Sequence, residues 1–473
     1  MVQNTSTPGF KNAVVREDAV DQSLSPQDSV EFALNVHFDS IGAITRREGL
    51  TRLGAQQASV ILGMGVYRNN AGSTYAALAK SGTAVFANTG SGWTSVRTGL
   101  TVTSRARFTN LVDHTFMVNG NANQVCSTWG GAGSFGSTNV ASLPVGDFIE
   151  NYRNRIWVAN NSNDRISYSD VVTTSGTITG GTAFIQISPA DGQRIRGLFR
   201  HPRALLVFKE NNIYRVYNPN SSDPDPSIFR GTYSQESIIQ AKDGIYYHHP
   251  TGFYKFVWEG EQEEISLPIS DIVKAIPRSS YENIAGWADD NHVLWSIGNI
   301  TLDGISFTNL VVRRTISTKV WTVYSYPTQI RSTTLYDSGS TLVPLLGDSS
   351  GNVLQFDTGN DDFGTTIHYD VITHWITFTS LQSLQKNLSQ VVALHENAEG
   401  TQLAFQVDMD NARKTTNAWR PMGQISQALT QVLPVDAQNF YRIRFRIFGN
   451  SSGTPFKFRS LDFLSLSIST TKK

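Results

Sequence analysis

The sequence predicts an all-β protein: a β-propeller of about seven blades followed by an antiparallel β-sandwich, entered through an extended N-terminal arm. Three observations predict it. Apolar runs are short, rich in Val, Ile, Phe, Tyr and Trp, and bounded by Gly, Asn, Asp or Ser, which is how many strands joined by tight turns read. A strand–turn–strand unit returns every 40 to 49 residues, the period of propeller blades. Beyond Gly359 the runs lengthen and alternate apolar with polar, as the strands of a two-sheet stack do.

Composition bounds the rest. At 473 residues the chain exceeds the roughly 150 of an average domain, so two or three domains are expected. Lys plus Arg and Asp plus Glu each number 39, a net charge of zero. That excludes a polybasic DNA binder, whose affinity comes from neutralising phosphates. The 39% hydrophobic and 11% aromatic content supplies a sizeable core and excludes general disorder. The one cysteine, Cys126, excludes a disulfide framework and a cysteine-rich zinc site. No apolar stretch approaches a membrane span and the first residues lack a signal-peptide core, so a soluble chain with no membrane span is expected.

Taken in order, residues 1–57 form the arm and a lead-in. Up to Ser29 they are polar and irregular, as an arm reaching a neighbour would be. The stretch NVHFDSIGAITRREGLTRLG is an extended lead-in that closes the ring. Residues 58–360 form the propeller. The second strand of each unit aligns as STYAALA, DHTFMV, RNRIWV, PRALLVF, DGIYYH, NHVLWS and STLVPLL, anchored at Tyr75, Phe116, Ile156, Leu205, Ile245, Val293 and Leu342. Upstream partners recur as ARFTNLV, GDFIEN, RIRGLF, ESIIQA and TQIRSTT. One blade cannot bury both faces of its sheet, and stacking around a ring does so. A single helix is expected near Asp271–Ile276, capped by Ser270 and ended by Pro277. After the turn-rich joint GNDDFG, residues 361–473 supply five long alternating strands. In YRIRFRIF, Arg442, Arg444 and Arg446 take one face and Ile443, Phe445 and Ile447 the other.

The lead-in carries a resemblance. Asn35, Asp39, Gly42, Arg46, Arg47 and Gly49 form an Asn, an acid, then Gly-x-h-x-basic-Arg-x-Gly. This resembles the opening of tail hub and nozzle proteins of short-tailed bacteriophages. GDFIENYRNRIWVANNSNDRISYSDV and RIRGLFRHPRALLVFKENNIYRVYNP look like successive blades of those proteins, and the Arg-rich penultimate strand is similar too. In length and order the chain is similar to their packaged-DNA stabilisation proteins, with the larger nozzle proteins as cousins. The resemblance implies a structural virion protein without enzymatic activity, located in the phage tail and assembled in the host cytoplasm. It implies a homo-hexameric ring below the portal and adaptor, retaining packaged double-stranded DNA and passing it at ejection. Its expected partners are therefore other copies of itself, the adaptor–portal complex, and needle, fibre or spike proteins.

Candidate chemistry is sparse. Arg442, Arg444 and Arg446 are the candidate subunit-interface or lumen residues; a solvated face and direct DNA contact are the alternatives. Asp289–Asp290, Asp361–Asp362 and the cluster Glu261, Glu263, Glu264 sit at expected turns, where Asp satisfies local backbone donors. A glycosidase needs two carboxylates on opposing elements, and adjacent acids in a turn point apart. His368, Asp370 and His374 alternate onto one strand face, but the two histidines lie roughly 20 Å apart in a strand, too far to share an ion. Asp408 and Asp410 resemble part of a calcium loop without its third ligand and terminal Glu. His248–His249 are adjacent, and Cys126 reads as a buried small hydrophobe. No phosphate-binding loop, nucleophile elbow or zincin helix is present, so no cofactor, metal or catalytic residue is expected. The rival reading is a glycan-binding or glycan-cleaving propeller acting as a receptor-binding tail protein, with Trp258, Trp287 and Trp295 as sugar platforms.

Overall fold

A computed structural model describes residues 5–6, 12–13, 29–38, 43–90, 92–121, 123–136, 143–173, 178–219, 225–258, 262–302, 304–337, 342–378, 384–409, 418–426 and 429–468. The chain divides into two compact units: Met1–Leu50, Val312–Ser325 and Asp357–Lys473 in one, Thr51–Val311 and Tyr326–Phe356 in the other.

The second unit is a β-propeller. Among the described residues seven groups of strands follow in chain order, blades I to VII, whose inner strands begin at Ile61, Arg107, Phe148, Ile195, Ile239, Ala285 and Ile330; six are separate small sheets, and blade VI is the Ala285–Ala288 end of a ten-stranded sheet. The inner strands of blades I to IV touch in succession, as do those of V to VII; Gln235–Ser237 lies against strands of blades IV, V, VI and VII, and Ile330–Asp337 returns to Ile61–Arg68. All seven anchor residues fall on the second strand of their blade. Those strands read as near-continuous apolar runs because both faces are covered: Leu205, Leu206, Val207 and Phe208 are fully buried. Convergence of the inner strands leaves little room at places. A Cβ on Gly63 of blade I would lie 2.2 Å from the Ala106 carbonyl oxygen, so glycine is required there. Among the described residues of the lead-in, only its end joins the ring, since Val36–Phe38 and Ile44–Arg46 belong to the other unit. That end, Leu50–Arg52, is the fourth strand of blade VII, beside Val353–Phe356, and the Leu53 N–H donates to the Val353 carbonyl (2.8 Å).

The first unit contains two sheets around one core. One orders Thr430–Phe440, Lys386–Glu396, Lys457–Ile468, Ile44–Arg46 and Val36–Phe38. The other includes Trp321–Ser325, Ser29–Leu34, Ile367–Thr373, Arg442–Ser451, Gln402–Asp408 and Arg420–Gln424. Leu388, Val391, Phe458 and Phe463 of the first pack with Val371, Phe405, Ile443, Phe445 and Ile447 of the second. Each such side chain stabilises by about 1.5–3 kcal/mol on leaving water.

Three expectations change. The boundaries 1–57, 58–360 and 361–473 give way to an interleaved chain: Ser29–Leu34 belongs with the C-terminal strands, pairing Val30 with Thr373 and Leu34 with Asp370. The six-residue helix is present as Ser270–Ala275, but Ser270 opens it rather than capping it; the flanking Ile269 offers no side-chain bond. Thr430–Phe440 is a strand absent from the expected five. Most of the N-terminal arm lies outside the described residues; within it Thr5–Ser6 pairs with Lys457–Ile468 and Asn12–Ala13 with Ser29–Leu34.

Candidate functional sites: an arginine ladder, a buried clamp and an axial cleft

Alternation along Arg442–Ser451 places its three arginines on the face opposite Ile443, Phe445 and Ile447, as the sequence requires. Flanking strands answer each one. Arg442 Nε donates to Asp408 Oδ2 (2.7 Å), and Arg446 donates twice to Asp370 (2.9 and 2.7 Å). Arg444 pairs with Glu31 and donates to Gln406 Oε1 (2.8 Å). The bonds it donates to Asp370 raise the Arg446 guanidinium above its ordinary value against the opposing effect of burial. Aromatic rings interleave the guanidiniums: Trp375 lies under Arg442 and Arg444, Trp419 under Arg444 and Arg446, and Phe448 under Arg446 at 4.6 Å. The ladder is a charge-balanced, braced surface, with its cations committed to acids of the same unit.

The lead-in motif folds into a buried clamp. Arg47 donates to both Asp362 oxygens (2.8 and 2.5 Å) and through Nε to Asn35 Oδ1 (2.9 Å). Asn35 adopts a left-handed φ of 56° and donates to the His368 carbonyl (2.6 Å). Arg46, fully buried, donates to the Asn360 and Gly453 carbonyls. A Cβ on Gly49 would sit 1.9 Å from the Asp361 carbonyl oxygen. The motif residues thus clasp the GNDDFG turn. Asp39 and Gly42 lie outside the described residues.

The remaining candidates take structural roles. Asp289 bonds His292 Nδ1 and the backbone of its own turn, Asp290 is exposed, and Asp361 accepts from Gly364. Glu263 and Glu264 are exposed on the outer strand of blade V; Glu261 and Asp410 lie outside the described residues. His368 contacts Asn450 while Asp370 serves Arg446, and His374 lies past the strand end. No group of three metal-ligating side chains occurs among the described residues. Cys126 is fully buried, and burial pushes its thiol up to about 12. Trp287 and Trp295 are core residues, leaving only half-buried Trp258, against which His201 stacks at 4.5 Å.

One polar site went unread in the sequence. Thr232–Ile238, between blades IV and V, crosses toward the propeller axis. Gln235 accepts from the Leu198 N–H (2.7 Å) and donates to its carbonyl (2.8 Å), imitating a strand partner. Glu236 pairs with Arg107 of blade II (3.0 Å), with Arg105 at 3.9 Å. Burial alone would raise the Glu236 carboxyl, but Arg107 and Arg105 hold it below its ordinary value. Ser234 donates to the Ile284 carbonyl (2.8 Å) beside blade VI. Above this crossing lies a cleft of about 380 Å³, walled by Arg105, Arg107, Asp147, Asn161, Arg196 and Tyr233 among others.

No protein-family model matches the chain, and no curated protein does. Among solved structures, a streptogramin B lyase aligns at TM-score 0.44 and 15% identity over 65% of this chain and 95% of its own. YCF48 from Cyanidioschyzon merolae aligns at 0.44 and 14% over 65% and 98%, and YCF48 bound to D1 peptide at 0.42 and 11% over 65% and 97%. The propeller reading rests on the sheet order itself. Among the described residues, no helix is long and apolar enough to cross a membrane.

Proposed function

We propose that this chain is a structural, non-enzymatic virion protein of a short phage tail, forming a hexameric hub or nozzle ring below the portal and adaptor. The observation that carries the reading is the clamp. The described residues of the motif that resembles tail hub proteins, Asn35, Arg46, Arg47 and Gly49, converge on one buried joint with residues 360–362. In this reading the two-sheet unit is a sandwich, and it and the N-terminal arm meet the adaptor and neighbouring copies. Ring closure then needs a heterologous interface whose rotation closes.

In this reading the axis of one propeller does not serve as the conduit, since Thr232–Ile238 bonds to blades II and IV and to Ile284 beside blade VI. The lumen belongs to the ring of copies. Zero net charge and a self-neutralised arginine ladder suit such a wall, since each free cation would hold phosphate and slow ejection.

Native mass spectrometry with and without purified portal–adaptor complex tests the proposal. Six copies assembling on that complex support it. A chain that ignores the complex sinks it.

A further inference from the structure

We infer that the axial cleft of the propeller is a binding site for a neutral polyhydroxylated ligand, a mono- or disaccharide. The inference is independent of the tail reading and stands or falls on the cleft alone. Its volume of about 380 Å³ lies at the lower end of the roughly 300–1,000 Å³ typical of small-molecule sites. The lining decides the chemistry.

Charge comes first. Three guanidiniums, Arg105, Arg107 and Arg196, face the cleft, and so do three carboxylates, Asp147, Glu236 and Glu282. The cations are already engaged: Arg107 with Glu236 (3.0 Å), Arg196 with Glu282 (2.8 Å) and Glu210 (2.7 Å), and Arg105 with the Arg331 carbonyl (2.9 Å) and Asn283 Oδ1 (3.0 Å), 3.9 Å from Glu236. A charged ligand would have to break the Arg107–Glu236 pair and strand its partner in a largely buried place, or draw Arg196 away from Glu210. The site therefore offers no net charge to a phosphate or an amine.

Hydrogen-bonding capacity comes second. Arg107 Nε is buried with no partner among the described residues. Asn161 donates its backbone N–H to Asp147 Oδ2 (2.8 Å), while its side-chain amide makes no hydrogen bond among the described residues. The Tyr233 hydroxyl makes none either; its ring is held by Arg196 at 5.3 Å and edge-on by Tyr281 and His249. Donors and acceptors of both kinds thus stand within one neutral cavity. Hydroxyl groups, which donate and accept at once, satisfy such an array without net charge.

Construction comes third. The walls are fixed before any ligand arrives. Gly120 holds a left-handed φ of 70°, and a Cβ there would meet Asp147 Oδ1 at 2.2 Å. Gln235 and Glu236 lock the floor to blades IV and II. Such pre-organisation reduces the ordering cost of binding.

The test uses the full chain and saturation-transfer NMR with glucose, galactose, N-acetylglucosamine and maltose as probes, against inorganic phosphate and glutamate. At least one neutral sugar should bind, and neither ion should displace it. Asn161→Ala and Tyr233→Phe remove only groups without partners, so both variants should keep the parent unfolding midpoint. Each should weaken sugar binding about tenfold, the loss of one hydrogen bond of about 1.4 kcal/mol. Glu263→Gln on the outer strand of blade V should change nothing. Silence from all four sugars overturns the inference. So does unchanged binding in both variants, or binding of phosphate or glutamate in preference to every sugar.

Discussion

Arg47 and Asp362 are both nearly sealed from solvent, at 2% and 3% exposure, so removing either leaves a lone buried charge. Asp362→Asn should cost about 3–5 kcal/mol in a chemical denaturation series, whereas the double change Arg47→Met with Asp362→Leu should cost less than the sum of its parts. His248 gives a pH signature. It is fully buried beside Phe253 and Tyr281, neither ring nitrogen has a partner among the described residues, and burial first, then His249, lowers it to about 3. A depressed value means the unfolded chain binds the proton first. The stability tied to neutral His248 is therefore whole above pH 6.5 and declines by about 1.4 kcal/mol per pH unit on acidification toward 3. His248→Phe should flatten that slope between pH 6 and 4; an unchanged slope would show that His248 is not its source.

Strand Leu50–Arg52 makes the ring close on a segment made before blade I. Leu53→Pro removes the N–H that reaches Val353, and should lower the unfolding free energy by about 1–3 kcal/mol more than Leu53→Ala, which keeps it. The blades themselves were legible because their central strands, such as Leu205–Lys209, are buried on both faces and cannot look like anything but continuous apolar runs. Thr430–Phe440 escaped because it carries Pro434, a residue that a sheet tolerates at an edge, and this strand is the edge of its sheet. The cleft escaped for a different reason. Arg105, Asn161, Arg196 and Glu236 stand on separate stretches of chain, and Thr232–Ile238 reads as an ordinary polar loop. Local pattern reports period and burial; it does not report which loops meet on an axis.

At the scale of the whole molecule, balanced charge predicts indifference to nucleic acid. A fluorescent duplex at about 0.15 M salt should show no binding tighter than the non-specific range of roughly 10⁻⁴ M, by anisotropy. Tight, salt-sensitive binding would mean that the arginine ladder releases its acids. The interleaved chain has a second consequence, in time rather than space. Arg47 must wait 315 residues for Asp362 to be synthesised, about 15–60 s at ~5–20 residues per second on the ribosome. By the end of that interval every strand of the propeller through blade VII has been made, while Ser29–Leu34 still lacks its antiparallel partner Ile367–Thr373. Nascent chains stalled just before residue 357 should therefore expose the early strands to chaperones and proteases, and chains released beyond residue 468 should protect them. The N-terminal segment is made first and finished last.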